Sequence, residues 1–261
     1  ASNYFTSVNN YNYTPLQKLL TQIISSWVQI KKFNLNYYEA KEVFSLINPK
    51  YKNIKKINNV FLNCYFDTLD VEANFQNLIN DEITDFSRYT FFYADYLLKK
   101  NQLKKANSIL NLKLIDVPRN LLLNQLSSDI NYKKRNYLKN NFNCKNISHI
   151  IAEILYITAN ALSTQGLYSL SNFYINLAKY LNQTFFSYNT LLAENFVMLE
   201  DYQKAKSIYL VLKKFGIIYS WHSSKQIALL EIEKTHNEKK AMTMLEKSYK
   251  NLISPTVYQT Y

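Results

Sequence analysis

The chain has 261 residues, of which 48% are apolar and 19% charged, so it can bury a core and is not an intrinsically disordered chain. It holds only 2 Gly and 4 Pro, too few for the turns of sandwiches, barrels or dinucleotide-binding folds, and this favours an all-α fold. The net charge of +12 suits a nucleic acid or an anionic membrane surface as partner, although an AT-rich genome explains the abundance of Lys, Asn, Ile, Tyr and Phe more simply.

The first predicted element is a helical hairpin. Thr14-Pro15 has the pattern of an N-cap followed by the first helical residue, and the apolar residues after it recur with helical spacing. A polar break at Asn34–Asn36 precedes a second helix that carries Ala40, and Asn48-Pro49 ends that helix. The N-terminal part is therefore predicted to begin with two antiparallel helices.

Further hairpins follow along the chain. The second contains Cys64 and Ala73, and the third has its turn at Lys99–Asn101. A degenerate fourth unit begins at Asp116–Pro118 and continues into a polar, basic stretch that we interpret as an irregular insertion or linker. The last three hairpins, which are the most regular, span about 147–182, 185–214 and 217–252, before Ser254-Pro255 closes the helical part. We accordingly divide the chain into segments 1–112, 113–146 and 147–261.

Small residues recur at a nearly fixed pitch in the second helices of these hairpins. Successive members lie 33, 33, 65, 34 and 36 residues apart, and 65 is close to two periods. A pitch of about 34 residues is typical of helix–turn–helix solenoid repeats, in which a small side chain lets the two helices of a hairpin approach closely. The residues are Ala40, Ala73, Ala106, Ser171, Ala205 and Ala241.

The regular units resemble tetratricopeptide repeats. The fifth hairpin matches that family with Gly166 and Tyr168 at the turn and with Leu155, Ala159, Leu162, Ser171, Ile175 and Ala178 in its helices. The sixth matches with Ala193, Phe196, Ala205 and Tyr209, but Asn189 and Leu212 depart from the pattern. The resemblance implies a right-handed superhelical solenoid of about seven hairpins. The order of the units also resembles long repeat proteins of alphaproteobacteria that often carry export signals.

The same resemblance implies a binding surface. In this family the first helices line a concave groove that holds a protein or peptide, and the family positions include Arg88, Glu153 and Ser187. We expect a helix or an extended segment as the ligand, because the lysines that would clamp a terminal carboxylate are absent. The candidate partner-binding residues are Phe91, Asp95, Tyr156, Asn160, Thr190, Glu194, Met198 and Gln226.

Two other functions stay open. Three basic clusters, around Lys50–Lys56, Lys99–Lys105 and Lys133–Lys139, have tyrosines in or near two of them, and such surfaces can bind RNA through charge and stacking. Solvated loops and helix ends explain the same lysines. The remaining alternative is an enzyme with a site in 113–146, which no constellation of residues supports. His222 and Trp221 are expected to be packing aromatics.

We expect no catalytic site, no cofactor and no metal, because the sequence has no nucleotide-binding, hydrolase or zinc-binding motif. Cys64 and Cys144 are interpreted as two buried free thiols; the alternative, a single disulfide, requires an oxidising compartment. No apolar run is long enough for a transmembrane span, and no signal peptide is found. Because the chain begins at Ala1 without an initiator Met, the compartment stays open between cytoplasm and periplasm.

Overall fold

The computed structural model describes residues 14–131 and 141–250. Within these ranges the chain forms α-helices and one 3₁₀ helix and contains no β-strand, so the all-α prediction is confirmed. The thirteen α-helices are α1 (Pro15–Phe33), α2 (Tyr37–Ser45), α3 (Lys52–Phe66), α4 (Val71–Ile79), α5 (Ser87–Lys99), α6 (Leu103–Asp116), α7 (Leu121–Asn131), α8 (Ile147–Ser163), α9 (Tyr168–Leu181), α10 (Tyr188–Met198), α11 (Tyr202–Leu212), α12 (Ile217–Thr235) and α13 (Glu238–Tyr249), and the 3₁₀ helix is Lys213–Phe215.

The chain divides into two compact units. The first contains residues 1–85 and 143–151, and the second contains residues 86–142 and 152–261. Helices α1 to α4 therefore belong to the first unit, and α5 to α7 and α9 to α13 belong to the second. Helix α8 contributes its first residues to one unit and the rest to the other.

Left-handed turn residues show where each hairpin reverses direction. A helix often ends on a residue with positive φ, a conformation that Gly and Asn adopt most readily. Residues of this kind separate α1 from α2, α3 from α4, α5 from α6, α8 from α9, α10 from α11 and α12 from α13. They follow one another at intervals of 33, 34, 65, 34 and 36 residues. The six residues are Asn34, Asp67, Asn101, Gly166, Glu200 and His236.

The helical hairpins thus recur at the pitch that the small residues predict, and Gly166 occupies a turn that requires a φ of 77°. Helix α1 begins as predicted, since the Thr14 side chain accepts a hydrogen bond from the Gln17 amide. The fourth unit contributes the single helix α7. Residues 132–140 of its predicted basic stretch and Ser254-Pro255 lie outside the described residues.

A tryptophan and buried asparagines organise the first unit. The Trp27 indole donates a 2.8 Å hydrogen bond to Asn58 and packs against Phe44 at 5.0 Å between ring centroids. Asn63 accepts hydrogen bonds from the hydroxyls of Tyr37 and Thr68, which lie on either side of it in the sequence. These contacts connect helix α3 to the first hairpin.

Two expectations for the first unit are wrong. Cys64 and Cys144 are not free thiols but form a disulfide, which links α3 to the segment before α8 with 5.8 Å between the Cα atoms. Ala73 is exposed and therefore does not lie at a helix crossing. The buried face of α4 instead carries Val71 and Phe75, so this hairpin packs with a different register.

Small residues do lie buried in the remaining hairpins, among them Ala106, Ser171 and Ala205. The Ser171 hydroxyl donates a 2.7 Å hydrogen bond to the carbonyl of Ala159 on the facing helix α8. That bond requires the two backbones to be close, which is the physical reason for a small residue at this position.

Helix α7 belongs to the packed part of the second unit. It contacts α5, α6 and α12, and Leu122, Leu123 and Leu126 are buried. The Gln125 side chain accepts a 3.0 Å hydrogen bond from the Ile218 amide and so caps the start of α12. A Cβ at Gly216 would lie 2.2 Å from the Gln125 carboxamide, which explains the glycine there.

No helix in the two described ranges combines the length and the apolar character that a bilayer crossing requires.

Candidate partner-binding site

A buried ion pair occupies the predicted groove positions Arg88 and Glu153. The Arg88 guanidinium on α5 donates to both carboxylate oxygens of Glu153 on α8, at 2.6 and 2.9 Å, and to the hydroxyl of Ser187 at 3.3 Å. Its Cζ lies 4.0 Å from the ring centroid of Tyr156, a cation–π distance. Burial raises the pKa of Glu153, and the adjacent guanidinium opposes that effect. These three polar residues satisfy one another and are not available to a partner.

Phe91 and Asp95 are buried as well, so the prediction that they line an open groove does not hold for them. The Phe91 ring packs against Phe185 at 5.5 Å, and the Asp95 carboxylate accepts a 2.6 Å hydrogen bond from Lys99. Lys99 also donates to the carbonyl of Phe142. These residues are buried because the irregular stretch contributes Phe142 to an aromatic cluster, and this cluster covers α5 from solvent.

The other six predicted residues lie on α8, α10 and α12, and water reaches all of them. Asn160, Glu194 and Met198 are exposed, whereas Tyr156, Thr190 and Gln226 are half-buried. We call these six residues the α8/α10/α12 face. Tyr156 and Tyr188 are 5.1 Å apart between centroids, and a core formed by Ala193, Tyr209 and Ile227 joins α10 to α11 and α12.

A polar network buried next to this face connects three helices. The Asn195 side chain on α10 accepts a 2.6 Å hydrogen bond from Ser163 on α8 and donates to Ser171 and Asn172 on α9, both at 2.8 Å. Asn195 is 1% exposed. Because each of its polar atoms is satisfied by a neighbouring helix, the network fixes the position of α10 against α8 and α9.

Glu194 carries the only carboxylate among the six residues of the face, and its electrostatics are unusual. The carboxylates of Asp95, Glu153 and Glu231, which are buried, each form an ion pair with Lys or Arg. Among the side chains that the structure describes, by contrast, no basic one forms an ion pair with Glu194. The surrounding protein displaces part of its water and raises the pKa of Glu194 to about 7, although the side chain is exposed.

The buried hydroxyl of Tyr209, whose pKa is raised by burial and by the Glu194 charge, also lacks a hydrogen-bond partner in the described part of the chain, and so does the buried Nε2 atom of His222. The two rings are 6.1 Å apart. Burial, helped by the Lys225 charge, lowers the pKa of His222 to about 4, so the imidazole is neutral at neutral pH.

Sequence reasoning assigned Glu194 to the face but missed Tyr209 as its neighbour. The sequence assigned Tyr209 only to a packing position, and the contact of α11 with its neighbouring helices is what exposes its hydroxyl to the charge of Glu194. No group of three or more His, Cys, Asp or Glu side chains in the described ranges is arranged to hold a metal ion.

Comparisons with known proteins identify no relative. A scan against protein-family models finds no matching family, and a search of curated proteins finds no significant match.

Proposed function

We propose that this protein is a non-enzymatic scaffold of the tetratricopeptide type that binds a segment of a protein partner on the α8/α10/α12 face. The observation that carries the proposal is the exposed Glu194 carboxylate, which is partly desolvated but has no cation beside it. A group held in such an unfavourable state is more often functional than structural, because stability alone would select a paired or neutral residue.

The same proposal includes a solenoid arrangement of the hairpins. It is supported by helix contacts that mostly join consecutive helices, by the regular pitch of the left-handed turns and by the buried small residues. In an array of this kind each repeat contacts mainly its neighbours, so the first helices of successive hairpins present a continuous surface.

The face suits a short segment of a partner. Packed helices lie about 8–10 Å apart, so three successive first helices span about 20 Å, which an extended peptide covers with roughly six residues. Tyr156 and Met198 offer apolar contact area, whereas Asn160 and Gln226 offer amide groups for the backbone of the ligand. The buried network around Asn195 holds the face in one conformation, which lowers the entropic cost of binding.

A comparison of surface variants tests this proposal. Affinity purification from the native organism would use the wild type, the face variant Asn160→Ala/Met198→Ala, which changes two exposed residues, and Phe173→Ala, whose target is an exposed aromatic residue on α9 outside the face. We expect the wild type and Phe173→Ala to enrich the same protein and the face variant to lose it, with unchanged helical circular dichroism. Equal recovery by all three, or loss only with Phe173→Ala, contradicts the proposal.

We further propose that the protein works in an oxidising compartment. The Cys64–Cys144 disulfide supports this, because cytosolic reductants keep most thiols reduced. Alkylation of the native protein before reduction, followed by mass spectrometry, should leave both cysteines unmodified. Complete alkylation without a reductant would contradict this assignment.

RNA binding is the second candidate, and a cleft in the first unit favours it. The cleft has a volume of about 480 Å³ and is lined in part by Lys50, Tyr51, Lys52 and Lys56, a basic and aromatic combination. Lys56 forms an ion pair with Asp81, however, which removes part of that positive charge. The predicted cluster around Lys133–Lys139 lies outside the described residues. Retention on polyuridine that falls steeply with salt would support this candidate, and elution at low salt would contradict it.

A further inference from the structure

We propose that Glu194 and its neighbours form a subsite that selects one basic side chain, Lys or Arg, in the bound partner segment. This inference rests on the proposed function, since it names the chemistry that the α8/α10/α12 face prefers. The occupant is a cationic residue within an otherwise uncharged stretch of a protein, not a polybasic tract.

The charge distribution within the second unit is the first argument. Lysines outnumber acidic residues along the whole chain, and the buried carboxylates of Asp95 and Glu231 each form an ion pair with a lysine. Glu194 forms no ion pair with a described residue, and its side chain is open to solvent. A cation supplied from outside is therefore the group that would complete this site electrostatically.

An unpartnered polar atom is the second argument. The Tyr209 hydroxyl is buried without a hydrogen-bond partner among the described residues, and the charge of the Glu194 carboxylate acts on it. An ammonium group offers three N–H donors and a guanidinium offers five, and neither accepts hydrogen bonds. The carboxylate and the hydroxyl oxygen are both acceptors, so the site and a cation are complementary in both charge and hydrogen bonding.

Other occupants are less suitable for physical reasons. An apolar side chain would cover the Glu194 carboxylate and remove its remaining water without supplying a donor, which is costly. An acidic side chain would place two like charges together. The overall charge of +12 disfavours a second cation, and this restricts the preference to a single basic residue.

Peptide selection with the full-length chain tests the subsite. A phage-displayed library of random 12-residue peptides would be panned against the wild type, Glu194→Gln and Glu233→Gln, the last being a matched control at another exposed glutamate on α12. We expect the wild type and Glu233→Gln to enrich Lys or Arg at one position of the selected motif. We expect Glu194→Gln to bind peptides without that enrichment.

A single selected peptide then gives the magnitude. Replacing its Lys or Arg by norleucine or citrulline, which are uncharged and of similar shape, should weaken binding to the wild type about tenfold and leave binding to Glu194→Gln unchanged. Selected motifs without a basic residue, or an equal enrichment with Glu194→Gln, would overturn the subsite while leaving the proposed face intact. If the wild type selects no peptide, the proposed function fails, and the subsite fails with it.

Discussion

Breaking the buried Arg88–Glu153 pair should reveal how much of the second unit depends on one polar contact. Arg88→Met removes the guanidinium and leaves the fully buried Glu153 carboxylate with the Tyr188 hydroxyl at 3.5 Å as its remaining described donor. Removing one partner of a buried ion pair typically costs about 3–5 kcal/mol. Because burial already raises the pKa of Glu153, protonation limits that cost, and we expect about 3 kcal/mol at pH 7.

The double variant provides the control. In Arg88→Met/Glu153→Leu no charge is left unpaired, so the variant should be more stable than Arg88→Met alone and the coupling energy of the cycle should be at least about 2 kcal/mol. The two tryptophans lie in different units, Trp27 in the first and Trp221 in the second. Labelling with 5-fluorotryptophan therefore gives one ¹⁹F signal for each unit during urea unfolding.

The signal of Trp221 should report the loss of stability, and that of Trp27 should be less affected. If Arg88→Met costs less than about 1 kcal/mol, or if the two substitutions are additive, the ion pair does not hold α5 to α8 as described. The same reasoning about buried polar groups would then fail for the rest of the second unit.

Three further changes follow from the structure, each measured by urea unfolding. Asn195→Ala removes the partner of the Ser163 and Ser171 hydroxyls and should cost about 2–3 kcal/mol, whereas a loss below about 1 kcal/mol would indicate an exposed side chain. Burial raises the pKa of Asp95 to about 6, so its contribution to the free energy of unfolding is present below about pH 4 and is lost as the pH rises through 6. Asp95→Asn should flatten that decline in stability, which amounts to at most about 3 kcal/mol. Reducing the Cys64–Cys144 disulfide should destabilise the first unit by roughly 4–5 kcal/mol, because the bond closes a loop of 80 residues, and an unchanged Trp27 transition would contradict the assigned bond.

Local sequence patterns predicted the helices and their hairpins because those features depend on short spacings. The capping of α1 at Thr14 and the left-handed turn at Gly166 need only a few neighbouring residues. The pitch of the small residues likewise comes from a contact within each hairpin, as the bond from Ser171 to Ala159 illustrates. The exposed Ala73 shows that a small residue with the right spacing can still lie on the wrong side of its helix.

Contacts between distant segments could not be predicted in this way. The burial of Phe91 and Asp95 depends on Phe142, which comes from a stretch without clear periodicity, and on Phe185, which lies nearly a hundred residues after Phe91. The disulfide depends on a Cα separation of 5.8 Å that the spacing of two cysteines does not encode. Composition and period carry no information about such distances.

The candidate site was predicted in part. The residues on α8, α10 and α12 are accessible because their helices present the expected faces, and Glu194 is among them. Its desolvation and the neighbouring Tyr209 depend on how α10 and α11 pack, so the electrostatic character of the site emerges only from the structure.

The central claim, that a partner segment binds on the α8/α10/α12 face, can be tested with methyl NMR of methionine. The chain has three methionines: Met198 lies on the face and is 59% exposed, whereas Met242 and Met244 lie on α13, with Met242 exposed to a similar extent at 55%. A ¹³C-methyl spectrum, assigned with Met198→Leu, would be recorded during titration with a selected peptide. The account predicts a saturable shift of the Met198 signal with little change at Met242. A shift at Met242 with an unchanged Met198 would contradict it.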